Sequence, residues 1–177
     1  MAILDLVTWP DKRLTEISED VSEVNDKTRK LMDDMLETMH HNSGIGLAAV
    51  QVGILKRILV MEISGMNERY PDSNQNETKP LFLVNPKIIW VDSEEQSYKE
   101  GCLSFPGQFS EVIRPKAIKV EYLDYHGKKQ ILDADGLLSI CVQHEIDHLN
   151  GIVFVDHISK LKKDMILKKL TKQQKPK

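Results

Sequence analysis

Two histidines and a glutamate in the stretch QHEIDHLNG, residues 143–151, have the types and the spacing to bind a metal ion and move a proton beside it. His144 and His148 are four residues apart. On a helix that spacing puts both side chains on one face with Cβ atoms about 6 Å apart, so both imidazoles can point at one ion. Glu145 is placed beside such an ion rather than on it, where it can take a proton from water whose pKa the cation draws down toward about 7. Two ordinary helical histidines would give the same letters, so the pattern needs a third protein ligand before it means catalysis.

The search for that ligand narrows the chemistry. An HExxHxxGxxH protease would accept Gly151 but needs a histidine at 154, where Phe154 stands. A thermolysin-like protease needs a later glutamate, and none follows Glu145. His157 and Asp156 stay open, at spacings for which no geometric reason is evident. Cys141 shares the histidines' helical face but lies seven residues from His148. That is roughly 10.5 Å along a helix axis, too far for a thiol and an imidazole to meet one ion with bonds near 2 Å, so Cys141 suits a wall better than a ligand. Cys102, in KEGCLSFPG (99–107), sits at the expected end of a strand, beside Gly101 and ahead of a Pro-Gly bend. Taken alone, a free cysteine is most often a small buried hydrophobe. Next to an HExxH short of every orthodox partner, Cys102 becomes the favoured third ligand.

The elements that must hold these residues are legible. Leu137, Ile140, Cys141, His144 and His148 recur at three- and four-residue steps, which predicts a helix that Gly151 ends. KAIKVEYLD (116–124) alternates, turns at His126-Gly127 and returns as KQILDAD (129–135), a hairpin whose strands Gly136 stops. RILVMEI (57–63) and LFLVNPKIIWV (81–91) read as strands joined by a polar loop over 64–80. Asn25 caps an expected helix from about Asp26 to His40 or His41, with Leu31, Met35 and Met39 on one face and Asn42-Ser43-Gly44 as its stop. A last amphipathic helix turns Ile158, Leu161, Met165 and Leu170 inward and its lysines outward. There is no βαβ alternation. The fold class is therefore α+β, with antiparallel strands packed around a central HExxH helix and with an N-terminal and a C-terminal helix, in a single domain over 1–177.

Charged residues at 29% and hydrophobic ones at 41% are those of a soluble globular protein. No apolar run approaches the roughly 20 residues of a membrane span. Asp5 interrupts the N-terminal apolar run and no basic segment precedes it, which argues against export and for a cytoplasmic protein with reduced thiols. Neither membrane nor DNA is an expected partner. Residues 160–177 hold eight lysines and one aspartate, a net +7 on a chain of −3, so residues 1–159 carry −10. His40 and His41 at a helix end, and His126 in a turn, receive no chemistry. Gly44-x-Gly46-x-x-Ala49 with Glu62 imitates a dinucleotide fingerprint, but a helix precedes the glycines where a strand should, and no crossover helix fits between Ala49 and Ile58.

Three motifs, GIGLAAVQ (44–51), EGCLS (100–104) and QHEIDHLNG (143–151), resemble those of the peptide deformylases and stand in that family's order. The similarity runs over nearly the whole chain, including PDKRL (10–14) and ADGLLSICVQHE (134–145). The resemblance implies a hydrolase that removes the formyl group from the N-terminal formyl-methionine of newly made polypeptides and releases formate. It implies one divalent ion, Fe(II) in the first place and replaceable by Zn(II), Ni(II) or Co(II), held by Cys102, His144 and His148. Glu145 would take the proton of the attacking water and pass it to the leaving amine, and the Gln51 side-chain amide and the Leu103 backbone N–H would serve the oxyanion. The methionine side chain would fill an apolar pocket of Ile45, Leu137, Ile140 and Cys141, for which ordinary core packing is the competing explanation. The Ile45–Leu47 backbone, with Gly46 at its centre, would lie along the peptide like an added strand. The basic C-terminal helix, from about 159 to 177, looks like the bacterial type 1 form and implies docking near the ribosomal exit, where +7 suits rRNA phosphates. Many bacterial relatives carry arginine at the position of Phe109, beside the peptide groove, and some carry glutamate at that of Ser43.

Overall fold

The structure, a computed structural model, describes residues 1–63 and 79–174. Most of the polar loop expected over 64–80 lies outside them. The first helix, α1 (Asp26–His41), starts where the Asn25 side chain accepts a hydrogen bond from Thr28 N at 3.1 Å. It buries Met32, Met35 and Met39 completely.

Among the described residues seven strands follow: β1 (Gly46–Ala48), β2 (Ile58–Met61), β3 (Leu81–Val91), β4 (Glu95–Cys102), β5 (Phe105–Pro115), β6 (Ala117–Leu123) and β7 (Lys129–Asp135). Five of them form one antiparallel sheet in the order β1-β2-β3-β6-β7, and β4 and β5 pair separately as a long hairpin. Helix α2 (Gly136–Leu149) carries the HExxH residues, and α3 (Lys160–Gln174) ends the described chain.

Strand alternation decides how the layers assemble. Along β2, Leu59 and Met61 join the cluster that α2 closes with Cys141, Val142, Ile146 and Leu149, while Ile58 and Val60 point the other way to Met32, Met35 and Met39 of α1. The five-stranded sheet is thus sandwiched between α1 and α2, and β2 is buried on both faces. The β4–β5 hairpin packs elsewhere: Phe105 and Val112 form a third cluster with Phe154, Val155, Ile166 and Leu170. The expected α+β architecture is the one observed, with α2 between the main sheet and the hairpin.

Two features depart from the sequence reading. The return strand β5 was hidden by Pro106, Gly107 and Pro115, residues that interrupt strand patterns; Gly107 takes a φ of 73° there. The last helix keeps only half of its expected inward set: Leu170 is buried and Ile158, just ahead of α3, packs half-buried against the hairpin cluster. Leu161 and Met165 are 72% and 51% exposed, while Ile166 and Leu170 are buried. Ile158 has extended backbone and precedes the helix, so it could not set the helix's phase.

Candidate metal centre

Cys102 ends β4, whereas His144 and His148 are one turn apart on α2. The fold brings their ligating atoms within 4.8 Å of one another. Cys102 Sγ lies 3.3 Å from His148 Nε2, and the two imidazoles sit with centroids 5.1 Å apart at 72°. Both histidines are buried. Among the described residues this is the one group of three His, Cys, Asp or Glu side chains close enough to share an ion.

The surroundings favour a cation. Glu100 Oε1 accepts a hydrogen bond from His144 Nδ1 at 2.8 Å, so Nε2 is the nitrogen that a metal ion would take. Burial opposes a positive His144, but its contacts with Cys102 and Glu100 outweigh it and raise the ring's pKa well above the ordinary imidazole value. His148 goes the other way: burial, then His144 and Arg114, hold it neutral, the form that ligates. A thiolate with two imidazoles is a donor set that first-row metals accept.

Glu145 is buried beside the cluster, and its Oε2 has no hydrogen-bond partner among the described residues. Burial drives its carboxyl up to about 7; positive His144 pulls against the rise and Glu100 adds to it. Gly46 makes room for it, because a Cβ there would lie 2.7 Å from Glu145 Oε1 and 3.0 Å from its Cγ. Gln51 sits in the short 3-10 turn Ala49–Val52. Ala48 N donates to its Oε1 at 2.9 Å, so the amide must present Nε2 to Cys102 Sγ at 3.4 Å and Ser104 Oγ at 3.2 Å. Leu103 follows Cys102 at the tip of the hairpin and packs near Gly44.

The remaining predicted residues fall around this point. Ile140 and Cys141 are buried on α2, and Ile45 and Leu137 are half-buried against the cluster that contains Cys141. Burial, with Glu145 next, pushes the Cys141 thiol up and keeps it protonated. Among the described residues, strand β1, with Gly46, pairs only with β2 and forms an edge of the main sheet. Phe109 lies over Gly101, with Lys99 Nζ 5.7 Å from its ring centroid. The two ligands left open by spacing are engaged elsewhere: His157 bonds Asp147, and Asp156 accepts from Val153 N and Lys163 Nζ.

Sequence reasoning missed what lies behind the ligands. Arg114 of β5 gives Nε and Nη2 to Glu100 at 2.6 and 2.9 Å inside the protein and Nη1 to the part-buried Asp147 at 2.8 Å. Burial alone would raise the Glu100 carboxyl, but His144 and Arg114 hold it down at about 2. The signal was present: Arg114 shares the inward phase of Val112 on an alternating strand.

Known proteins carry the same pattern. A family model described as Polypeptide deformylase matches residues 3–164. The peptide deformylase of Pelagibacter ubique is 51% identical over 172 residues, covering 97% of this chain and 95% of that one, and the peptide deformylase of Bartonella tribocorum is 48% identical over 177 residues, covering 100% and 96%. Among solved structures, the peptide deformylase of Ehrlichia chaffeensis in complex with actinonin superposes with a TM-score of 0.92 at 48% identity, covering 99% of this chain and 100% of that one. The chain belongs to the polypeptide deformylase family, metal-dependent hydrolases that remove the N-formyl group from nascent peptides.

Proposed function

We propose that Cys102, His144 and His148 hold one Fe(II) ion, for which Zn(II), Ni(II) or Co(II) can substitute, and that residues 1–177 act as one cytoplasmic catalytic domain on formyl-methionine peptides. The observation that carries this reading is the convergence of a thiol and two imidazoles beside a buried, raised-pKa carboxylate. Bound there, a divalent ion supplies Lewis acidity, which makes water a nucleophile near neutral pH.

The protein's own groups do the rest. Glu145 takes the proton of the attacking water and gives it to the nitrogen of the departing methionine; a carboxyl poised near 7 can do both at neutral pH. Gln51, its amide locked by Ala48 N, donates Nε2 to the developing oxyanion together with the Leu103 N–H. Gly46 and its neighbours on the β1 edge align the peptide main chain, and Ile45, Leu137, Ile140 and Cys141 receive the methionine side chain. The lysine-rich C-terminal helix docks on ribosomal RNA phosphates, with salt-sensitive cosedimentation with ribosomes as the check.

Formate release from formyl-Met peptides tests the assignment. Glu145→Ala is expected to lose about 10²- to 10⁴-fold in kcat, the usual worth of general acid–base catalysis, with bound metal unchanged. A fully active Glu145→Ala protein would refute the role, and metal analysis of protein purified without oxygen identifies the ion.

A further inference from the structure

A continuous chain of hydrogen bonds leads from the metal centre to the surface. His144 Nδ1 donates to Glu100 Oε1 at 2.8 Å, and Arg114 grips both oxygens of Glu100. The third guanidinium nitrogen, Nη1, reaches Asp147 Oδ2 at 2.8 Å, and His157 Nε2 donates to that same oxygen at 2.7 Å. Side-chain exposure rises along this path, from 4% at Glu100 and Arg114 to 19% at Asp147 and 34% at His157. His157 is where the network meets solvent.

The 3-10 turn Phe154–His157 also reaches the centre a second way. The Phe154 ring stacks on His144, with centroids 6.2 Å apart and planes 27° from parallel. One turn of four residues therefore touches His144 directly at its first residue and through three intervening side chains at its last.

We propose that His157 is a positioning residue for the metal centre: by holding Asp147 against Arg114 from the solvent side, it keeps Glu100 aligned on the Nδ1 of His144. The physical reason lies in what each partner can do without the next. Asp147 is at the rim of the buried array, and its short carboxylate can rotate toward water once a partner on the solvent side is gone. Arg114 then keeps only Glu100 for its fork, and Nη1 is left buried without its carboxylate, a costly arrangement that is relieved by shifting the guanidinium. Glu100 moves with it, and the orientation of His144 softens. A donor is needed at position 157, and either a neutral or a protonated imidazole supplies it, because the acceptor is a carboxylate in both cases.

This inference rests on the reading of Cys102, His144 and His148 as ligands, and the test separates the two. The full-length protein is loaded with Co(II), the loss of Co(II) to excess EDTA is followed through the thiolate absorption band, and the urea midpoint of the metal-free protein is measured in parallel. His157→Ala and His157→Phe, the latter keeping a ring but no N–H, are expected to lose Co(II) roughly 3- to 10-fold faster, less than the 10- to 100-fold of a partner bonded directly to a ligand. His157→Gln, whose amide nitrogen reaches the Nε2 position, keeps the wild-type rate. Wild-type rates in both His157→Ala and His157→Phe, or a His157→Gln protein as fast as His157→Ala, overturn the proposal. A lowered urea midpoint with unchanged Co(II) loss reduces His157 to packing and overturns it as well. If the wild-type protein shows no thiolate band that Cys102→Ser removes, the ligand assignment itself fails and takes this inference with it.

Discussion

Gly46→Ala isolates the fit between strand β1 and the Glu145 carboxylate. Gly46 is not among the glycines held at positive φ, so an alanine suits its extended backbone and the substitution acts through space alone. The new methyl carbon would stand 2.7 Å from Oε1, 3.0 Å from Cγ and 3.1 Å from Cδ of Glu145. Rotating the carboxylate cannot relieve a contact that also involves Cγ and Cδ, and the side chain is only 5% exposed. Ordinary contact begins near 3.4 Å, so the carboxylate must retreat by about 0.7 Å. A misplacement of 1 Å can cost about 10²-fold in rate, which puts the loss in kcat/KM at about 10- to 100-fold, or about 1.4–2.7 kcal/mol. Overpacking of this kind also costs about 1–3 kcal/mol of stability, a fall of roughly 2–10 °C in Tm for a chain of this size. Formate release, metal content and a thermal melt on the same preparation measure all three. A Gly46→Ala enzyme with wild-type kcat/KM refutes the reasoning, and so does one whose activity falls only in proportion to lost metal.

Arg114→Met leaves Glu100 buried, and Asp147 at the rim, without their shared cation, and the urea midpoint is expected to fall by the equivalent of about 3–5 kcal/mol; a change within about 0.5 kcal/mol would show that the array contributes little. Glu145 supplies a pH signature in the metal-free protein. Its folded-state pKa, about 7, lies above the ordinary 4.5, so its contribution to stability is fully present below 4.5 and is lost as pH rises through about 7. Urea midpoints between pH 4.5 and 8 should therefore carry a downward component that Glu145→Gln abolishes, and identical pH profiles for the two proteins would contradict it.

The chemistry-bearing helix could be read from sequence because His144, His148 and the apolar residues before them obey one period, and the 117–135 hairpin because its alternation is clean on both sides of a glycine turn. The two misses have physical causes. Strand β5 carries Pro106 and Gly107 near its start and is stabilised by its pairing with β4, a relation between residues that local pattern does not carry. In α3 the apolar residues are sparse among lysines, so more than one face is compatible with the sequence, and the hairpin and the 154–157 turn select Ile166 and Leu170. At the site, type and spacing pair His144 with His148, and Cys102 joins them in sequence only through the lack of other partners and the family resemblance; the structure brings the three together. Arg114 was not legible, because an inward-facing arginine makes sense only once two carboxylates from β4 and α2 are seen to meet it.

Strand β1 has one further consequence, for the breadth of substrates. It is three residues long, it borders the main sheet, and its second edge faces away from β2. A sheet edge presents N–H and C=O groups, which grip what all polypeptides have in common and ignore what distinguishes them. For an enzyme that removes the formyl group from nascent peptides, a grip of that kind on the proposed edge would tolerate different sequences along the chain. On the proposed alignment of the peptide along this edge, three residues would be enough to fix its direction, and so short an edge offers little pairing to the edge of a second molecule.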